Sequence, residues 1–557
     1  MSDFPSTPLP IFPDESRDST AMLQQALNGI RDGSHILFKK GTYRLHPKKS
    51  SPFSCSLSNS DGAEVFFAGI FLSDRRDLIL DGQGSTLLCH GQMSPLVLLG
   101  CENVQLQNFI IDWDIPLTAE GTVLTSSEDH TDLSVDPFQY PWHTENGKLF
   151  FDGGDWSWPI HFWGHTEFDP SSSLLAPHRG DRFPPTTQEK IRKGVVRFHG
   201  DFRGKMPAPG NILVLRHGPR MHPGILIHNC RKITLQNITL HSCGGLGILG
   251  QFSSDLTFSK ISIVPNRKKG RHFVSGHDDG IHLSADSGQI TVEGCSFLGL
   301  MDDPVNVHGI AVGVDRQMEP CTFLCSFRHP QSKGYSLWAR PGENIAFLDG
   351  DTMEELQRST VESCCLLDPD HFKITFCSPI SLVSPHLSLE NISRTPSLLC
   401  RNNHFGACRA RGLLVTTPGK VVIQNNVFTS GGAAIRIAGD VCTWFESGCC
   451  RDVTIENNIF SESCLQNDYQ GGQGVISISP ELPCPEKAPP CHRNIRILGN
   501  RFYLSSPRLL YGLCTENLVF SHNKIMKAPS YRDPEPPGIL LEHSRNFKEE
   551  DNHYSGF

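Results

Sequence analysis

The chain has 557 residues, beyond the size at which a single compact core usually stops growing, so several domains or one elongated repeat are expected. A net charge of −9 and a pI near 6.3, with Lys and Arg scattered and no basic stripe interleaved with aromatics, exclude a polyanion-binding surface, so nucleic acid is not an expected partner. No apolar run approaches the roughly 20 residues of a membrane helix, so no membrane partner is expected either.

The N-terminus, Met1-Ser2-Asp3-Phe4-Pro5, lacks the basic region and hydrophobic segment of a secretory signal. The expected compartment is the cytoplasm for the chain as written, and the periplasm or exterior if a signal has been removed. Asp18 to Leu27 reads as a capped amphipathic helix with Asp18 or Ser19 as N-cap. Ile36 to Tyr43 follows as a strand and turn. A helix leading into Gly41-Thr42-Tyr43 resembles the capped start of pectate-lyase-like β-helices, and a cap is needed because an open solenoid end exposes unpaired strand edges.

Short apolar alternations ending in Asn or Gly then recur along the chain: Asn103 to Asn108, Lys232 to Asn237, Val421 to Asn426, Val453 to Asn458, Ile495 to Asn500 and Leu518 to Asn523. Period-2 alternation predicts strands, and near-constant spacing predicts a solenoid; Leu256 follows Ile233, and Leu518 follows Ile495, by 23 residues. The terminal Asn suits a bend with left-handed geometry or stacked amides. Irregular intervals do not support the repeats of about 40–45 residues of a β-propeller.

Two segments interrupt the repeat. Residues 115–220 hold Trp142, Trp156, Trp158 and Trp163 with many prolines, and 309–400 contain β-rich runs such as Cys321 to Phe327 and His371 to Phe376. The expected fold is all-β: a right-handed parallel β-helix with two inserted antiparallel β domains. Its parts are a cap and first coils (1–114), an insert (115–220), central coils (221–308), a second insert (309–400) and C-terminal coils with a tail (401–557).

Most of the twenty cysteines suit small core positions, such as Cys230, Cys243 and Cys295, while Cys484 and Cys491 could close a disulfide in an oxidising compartment. The spacings form no zinc framework.

The central coils carry the chemistry. His277-Asp278-Asp279-Gly280-Ile281-His282 is followed by Met301-Asp302-Asp303-Pro304-Val305-Asn306-Val307-His308-Gly309, with Asp279 and Asp302 separated by 23 residues, close to one coil. Stacked strands lie about 4.7–4.9 Å apart, so these acids cannot all ionise without cost, and shifted pKa values are what acid–base chemistry requires. Asp-Gly and Asp-Pro are also common turns, but stacked like charges repel where asparagines would turn the chain without penalty. The His and Asp side chains could ligate a metal, yet no specific ligand signature is present, so no metal or other cofactor is expected. Glycoside hydrolysis fits best: acids on neighbouring coils that diverge across a cleft would approach the roughly 6.5–9.5 Å of inverting glycosidases, while the spacing alone leaves a retaining pair at about 5–5.5 Å open.

These two motifs resemble the acidic signature of the α-1,3-galactosidases of glycoside hydrolase family 110. The similarity extends to the capped start, Ile111-Asp112-Trp113, both inserts and Thr443-Trp444-Phe445-Glu446-Ser447-Gly448. The resemblance implies a β-helix with inserted β-barrel domains that removes terminal α-1,3-linked galactose, as on blood group B structures, with inversion and without metal. Residue by residue it implies Asp279, Asp302 and Asp303 as catalytic acids.

Asp278, His282, Asn306, His308, Arg220, Arg436, Trp444 and Glu446 are candidates to bind the galactose-terminated substrate: Arg and Glu fork onto hydroxyls and an aromatic stacks on the apolar sugar face. Arg436 equally suits a structural ion pair and Trp444 a core position. A polysaccharide lyase or polygalacturonase-like hydrolase would want basic residues beside the acids, and no dense basic cluster is visible in sequence. A glycan-binding solenoid would bind without turnover. A homodimer is compatible with the sequence, which is otherwise silent on oligomeric state.

Overall fold

The structure is a computed structural model that describes residues 6–62, 65–160, 166–180, 187–381, 384, 386–467 and 472–557, so Trp163 lies outside the described residues. Its scaffold is a parallel β-helix built from a 23-stranded and a 12-stranded sheet. Each coil runs through two strands of the larger sheet and one of the smaller; Arg231–Gln236, Thr239–Leu240 and Ile248–Gln251 make one coil. Alternation along Arg231–Gln236 puts Ile233 and Leu235 into the interior, where they join one continuous core that runs the length of the solenoid. Between the first two strands sits a residue in left-handed geometry, Asn237 with φ of 51° here and Asn425 and Asn457 with 56° and 55° in later coils. Asn tolerates that conformation better than most side chains.

The Asn that follows this bend in the later coils, after Asn, Gly, His or Asp, does something different. Asn403, Asn426, Asn458, Asn500, Asn523 and Asn552 form a ladder in which each backbone N–H donates to the next side-chain carbonyl at 2.8–2.9 Å. Each interior amide nitrogen also donates onward, at 3.0–3.1 Å. Beside it, Phe297, Phe405, Phe428, Phe460 and Phe502 stack with ring centroids 4.5–5.5 Å apart.

The helix Thr20–Asn28 closes one end of the core with Leu23 and Leu27. Ser19 is its N-cap but makes no side-chain cap bond; the Asp18 carboxylate instead accepts from the Thr20 backbone N–H and hydroxyl at 2.9 and 2.6 Å.

Both interruptions are antiparallel. Thr118–Ser126 through Ile212–Arg216 build a seven-stranded sheet with a three-stranded sheet beside it, and Ala311–Glu319 through Leu387–Asn391 close a six-stranded barrel. Neither disturbs the register: Val104 pairs with Ile233 across the first, and Val305 with Leu413 across the second. Cys230, Cys243 and Cys295 are buried as expected. Cys484 and Cys491, which could close a disulfide in an oxidising compartment, are free thiols here, as are the other eighteen cysteines.

Candidate active site

The acids occupy the corner that leads into the smaller sheet. Asp279 precedes Ile281–Ser284, Asp302 and Asp303 precede Val305–His308, and those two strands pair in register, His282 opposite Asn306. The next strand, Leu413–Thr416, is preceded by Arg409 and Arg411, which the inserted barrel displaces far along the chain but leaves one coil above the acids. Tight backbone approach is required here: a Cβ on Gly280 would meet the Pro304 carbonyl at 2.6 Å.

One oxygen from each of Asp279, Asp302 and Asp303 lies within 4.8 Å of the others. The expectation that neighbouring acids diverge toward the wide inverting separation is therefore corrected. Their strands are adjacent and all three side chains converge on one point.

The environments of the three differ. Asp303 is 1% exposed, its carboxylate accepting from the Arg411 guanidinium at 2.8 Å and the Arg411 backbone N–H at 2.9 Å. Burial raises its pKa well above the usual carboxylate range, against the pull of Arg411 and with the neighbouring acids adding to the rise. Asp279 accepts from the Asp303 backbone N–H at 3.1 Å, and burial together with the Asp302 charge pushes it up to about 8. Asp302 is the most open, with 17% of its side chain exposed and Arg409 3.8 Å away. Asp278 goes the other way: against burial, Arg220, His277 and Arg216 hold it well below the usual range.

Behind Asp279 runs a chain of two imidazoles. His308 Nδ1 donates to the Gly309 carbonyl at 2.6 Å, His308 Nε2 meets His282 Nε2 at 2.9 Å, and His282 Nδ1 meets Asp279 Oδ2 at 2.6 Å. In neutral rings the donor at Gly309 makes His308 Nε2 an acceptor, so His282 donates from Nε2 and accepts at Nδ1, and the proton of the last bond belongs to Asp279. Burial and His308 hold His282 well below its ordinary pKa, which keeps that ring neutral.

A cavity of about 400 Å³ opens over the acids, within the usual range of small-ligand sites. Asp278, Asp279, Asp302, Asp303, Asn306, Arg220, Arg436, Trp444 and Glu446 are all in its wall. His282 and His308, expected to bind the substrate, are not; they are fully buried behind the acids. Arg436 faces the cavity and also pairs with Glu481 at 3.0 Å, and Trp444 is 37% exposed rather than core.

Sequence reasoning missed Asn59, Arg216, Arg409, Arg411, Asp440 and Glu481, which share the wall. The absence of a basic cluster is also corrected, since five arginines face seven carboxyl groups. No local sequence signal marks Arg411, because the second insert separates it from Asp303 by 108 residues.

Residues 119–213 match the family described as GLAA-B beta-barrel domain I, and residues 216–325 match the right handed beta helix region family. An α-1,3-galactosidase B of Bacteroides thetaiotaomicron is 38% identical over 529 residues, covering 93% of this chain and 85% of that protein. This chain belongs to the α-1,3-galactosidase family. An α-1,3-galactosidase A of Bacteroides fragilis is 31% identical, covering 90% of the chain and 83% of its own length. The chain also spans 65% of an Akkermansia muciniphila α-1,3-galactosidase B, at 31% identity over 93% of the chain. Family membership therefore embraces the helix, both inserts and the acid corner together.

Proposed function

We propose that this chain hydrolyses terminal α-1,3-linked galactose from neutral glycans, blood group B-type or linear, with inversion at the anomeric carbon. The observation that carries the reading is the contrast in environment among converging acids, Asp279 buried and raised beside Asp302 open to the cavity. Asp279, pushed up to about 8, carries a proton at neutral pH and acts as general acid on the glycosidic oxygen. Asp302, open to the cavity, is the carboxylate that activates water. Asp303, fixed by Arg411, holds Asp279 through its backbone N–H.

Inversion needs a water on the ring face opposite the leaving group. Because the acids converge, we place that water on the open side of Asp302 rather than between diverging carboxyls. The same acids could in principle gather a metal ion, but Arg409 and Arg411 already bring cationic charge to them, which opposes a divalent cation.

The charge balance supports a neutral substrate. Arg216 and Arg220 pair with Asp278 at 3.6 and 3.5 Å, Arg409 with Asp302, Arg411 with Asp303 and Arg436 with Glu481, so every arginine of the cavity already faces a carboxylate. A uronate would add negative charge to a wall where acids outnumber bases. Time-resolved proton NMR of an α-1,3-galactobiose digest tests the reading: β-galactose should appear first, with galacturonides untouched. α-Galactose first would mean retention, and turnover of galacturonides in its place would move the chain to a polygalacturonase-like activity.

A further inference from the structure

Trp444 stands in the wall of the cavity with 37% of its surface exposed, whereas Asp279 and Asp303 are 3% and 1% exposed. The acids form the floor and the indole the mouth. An exposed indole held rigidly over a polar cavity is a surface built to be covered.

It is held from three sides. The Asp440 carboxylate accepts from the backbone N–H groups of Cys442 and Thr443 at 2.9 and 2.8 Å and from that of Trp444 itself. Phe445 and Ser447 lie in the left-handed region with φ of 58° and 62°, a conformation that bulky side chains avoid unless their surroundings enforce it. The inserted barrel supplies part of that enforcement: the Ala311 N–H donates to the Phe445 carbonyl at 2.8 Å and Glu390 accepts from the Gly448 N–H at 2.9 Å. From the same barrel, His329 stacks on Trp444 with centroids 4.2 Å apart at 28°. The following residues are tied to Asn59 through Gln331 and Ser332, and Asn59 donates to Glu446 at 3.1 Å, so loop, barrel and solenoid meet at one platform.

We propose that Trp444, buttressed by His329, is the platform for the sugar ring from which galactose is removed, and so sets the preference for the glycan carrying it. This rests on the galactosidase reading above. In an exo cut the terminal galactose fills the floor beside the acids, and the ring bonded to its anomeric carbon must point to the mouth. There the apolar face of that ring lies on the indole, and the Glu446 carboxylate beside it accepts from its hydroxyls.

The test compares two substrates with the same galactose and different leaving groups: α-1,3-galactobiose, which has a second ring, and α-galactosyl fluoride, which has none. In Trp444→Ala the ratio of kcat/KM for galactobiose over the fluoride should fall at least about tenfold, mostly through KM, as expected for one aromatic stack. Trp444→Phe should keep most of the ratio, and His329→Ala should lower it in the same direction by less. A ratio within twofold of the parent's in a folded Trp444→Ala protein, checked by thermal melting, would overturn the platform alone. Failure of the parent to hydrolyse either compound would overturn the galactosidase reading and the platform with it.

Discussion

The same solenoid stacks polar side chains at two corners, and the two stacks behave in opposite ways. In the column from Asn403 to Asn552 each amide has both a donor and an acceptor, so successive coils satisfy one another without help. The acids at 279, 302 and 303 converge to within 4.8 Å but have only acceptors when ionised. Their stack holds together because Arg411, Arg409 and Arg220 approach it and because burial favours the protonated form of Asp279 and Asp303. A neutral ladder thus serves stability, whereas a charged one keeps electrostatic tension in place for chemistry.

The sharpest way to break this contrast is to make the ladder resemble the site. Asn458→Asp removes the amide donor bonds to Asn500 and Ile423, at 3.0 and 2.9 Å, and buries a carboxylate among acceptors. It should cost about 3–5 kcal/mol in urea unfolding at neutral pH, the scale of an unpaired buried charge. A loss below about 1 kcal/mol would show that the column is not a stabilising element.

The reverse exchange comes next. Asp279→Asn, Asp302→Asn and Asp303→Asn should each lower turnover of a natural α-galactoside at least about 10²-fold while the protein still melts cooperatively. If all three unfold, the acids are structural. On a dinitrophenyl α-galactoside, whose leaving group needs no proton, Asp279→Asn should recover most of its activity and Asp302→Asn should not; equal recovery would cancel the assignment of roles.

A subtler effect lies in pH. Asp279 is raised in the folded chain, so between its ordinary range and about 8 the native state holds a proton that the unfolded chain has released. That contribution to stability is fully present at low pH and lost as pH rises toward about 8. Melting temperatures of Asp279→Asn relative to the parent should therefore climb across this interval, and the alkaline limb of kcat/KM in the parent should fall with the same proton. A pH-independent difference in melting would remove the proton from Asp279. The smallest expected effect is none: extensive EDTA treatment should leave turnover unchanged, and loss restored by a divalent ion would make the triad a metal site.

The ladder was legible in sequence because each Asn closes a local alternation, and local pattern is what a solenoid repeats. The acids were legible because Asp279 and Asp302 lie one uninterrupted coil apart. Arg411 was not, since 108 residues separate it from Asp303 although the two share an ion pair. Arg216 was missed for a related reason: it ends the last strand of the first insert, and only the folded chain returns it beside Asp278. The convergence of the acids was also out of reach, because coil spacing fixes backbone distance and not the direction in which side chains point.

The unbroken pairing of Val305 with Leu413 across a whole barrel has an evolutionary side. Closing a chain of about 100 residues instead of a short turn costs only roughly 3 kcal/mol of entropy, and less when the intervening chain folds on itself. A coil can therefore acquire, exchange or reshape such a module while Asp303 and Arg411 stay face to face. The barrel brings His329 to the rim of the cavity and the solenoid keeps the acids at its floor, so lineages sharing one cutting chemistry can diversify in what they recognise by swapping a cassette.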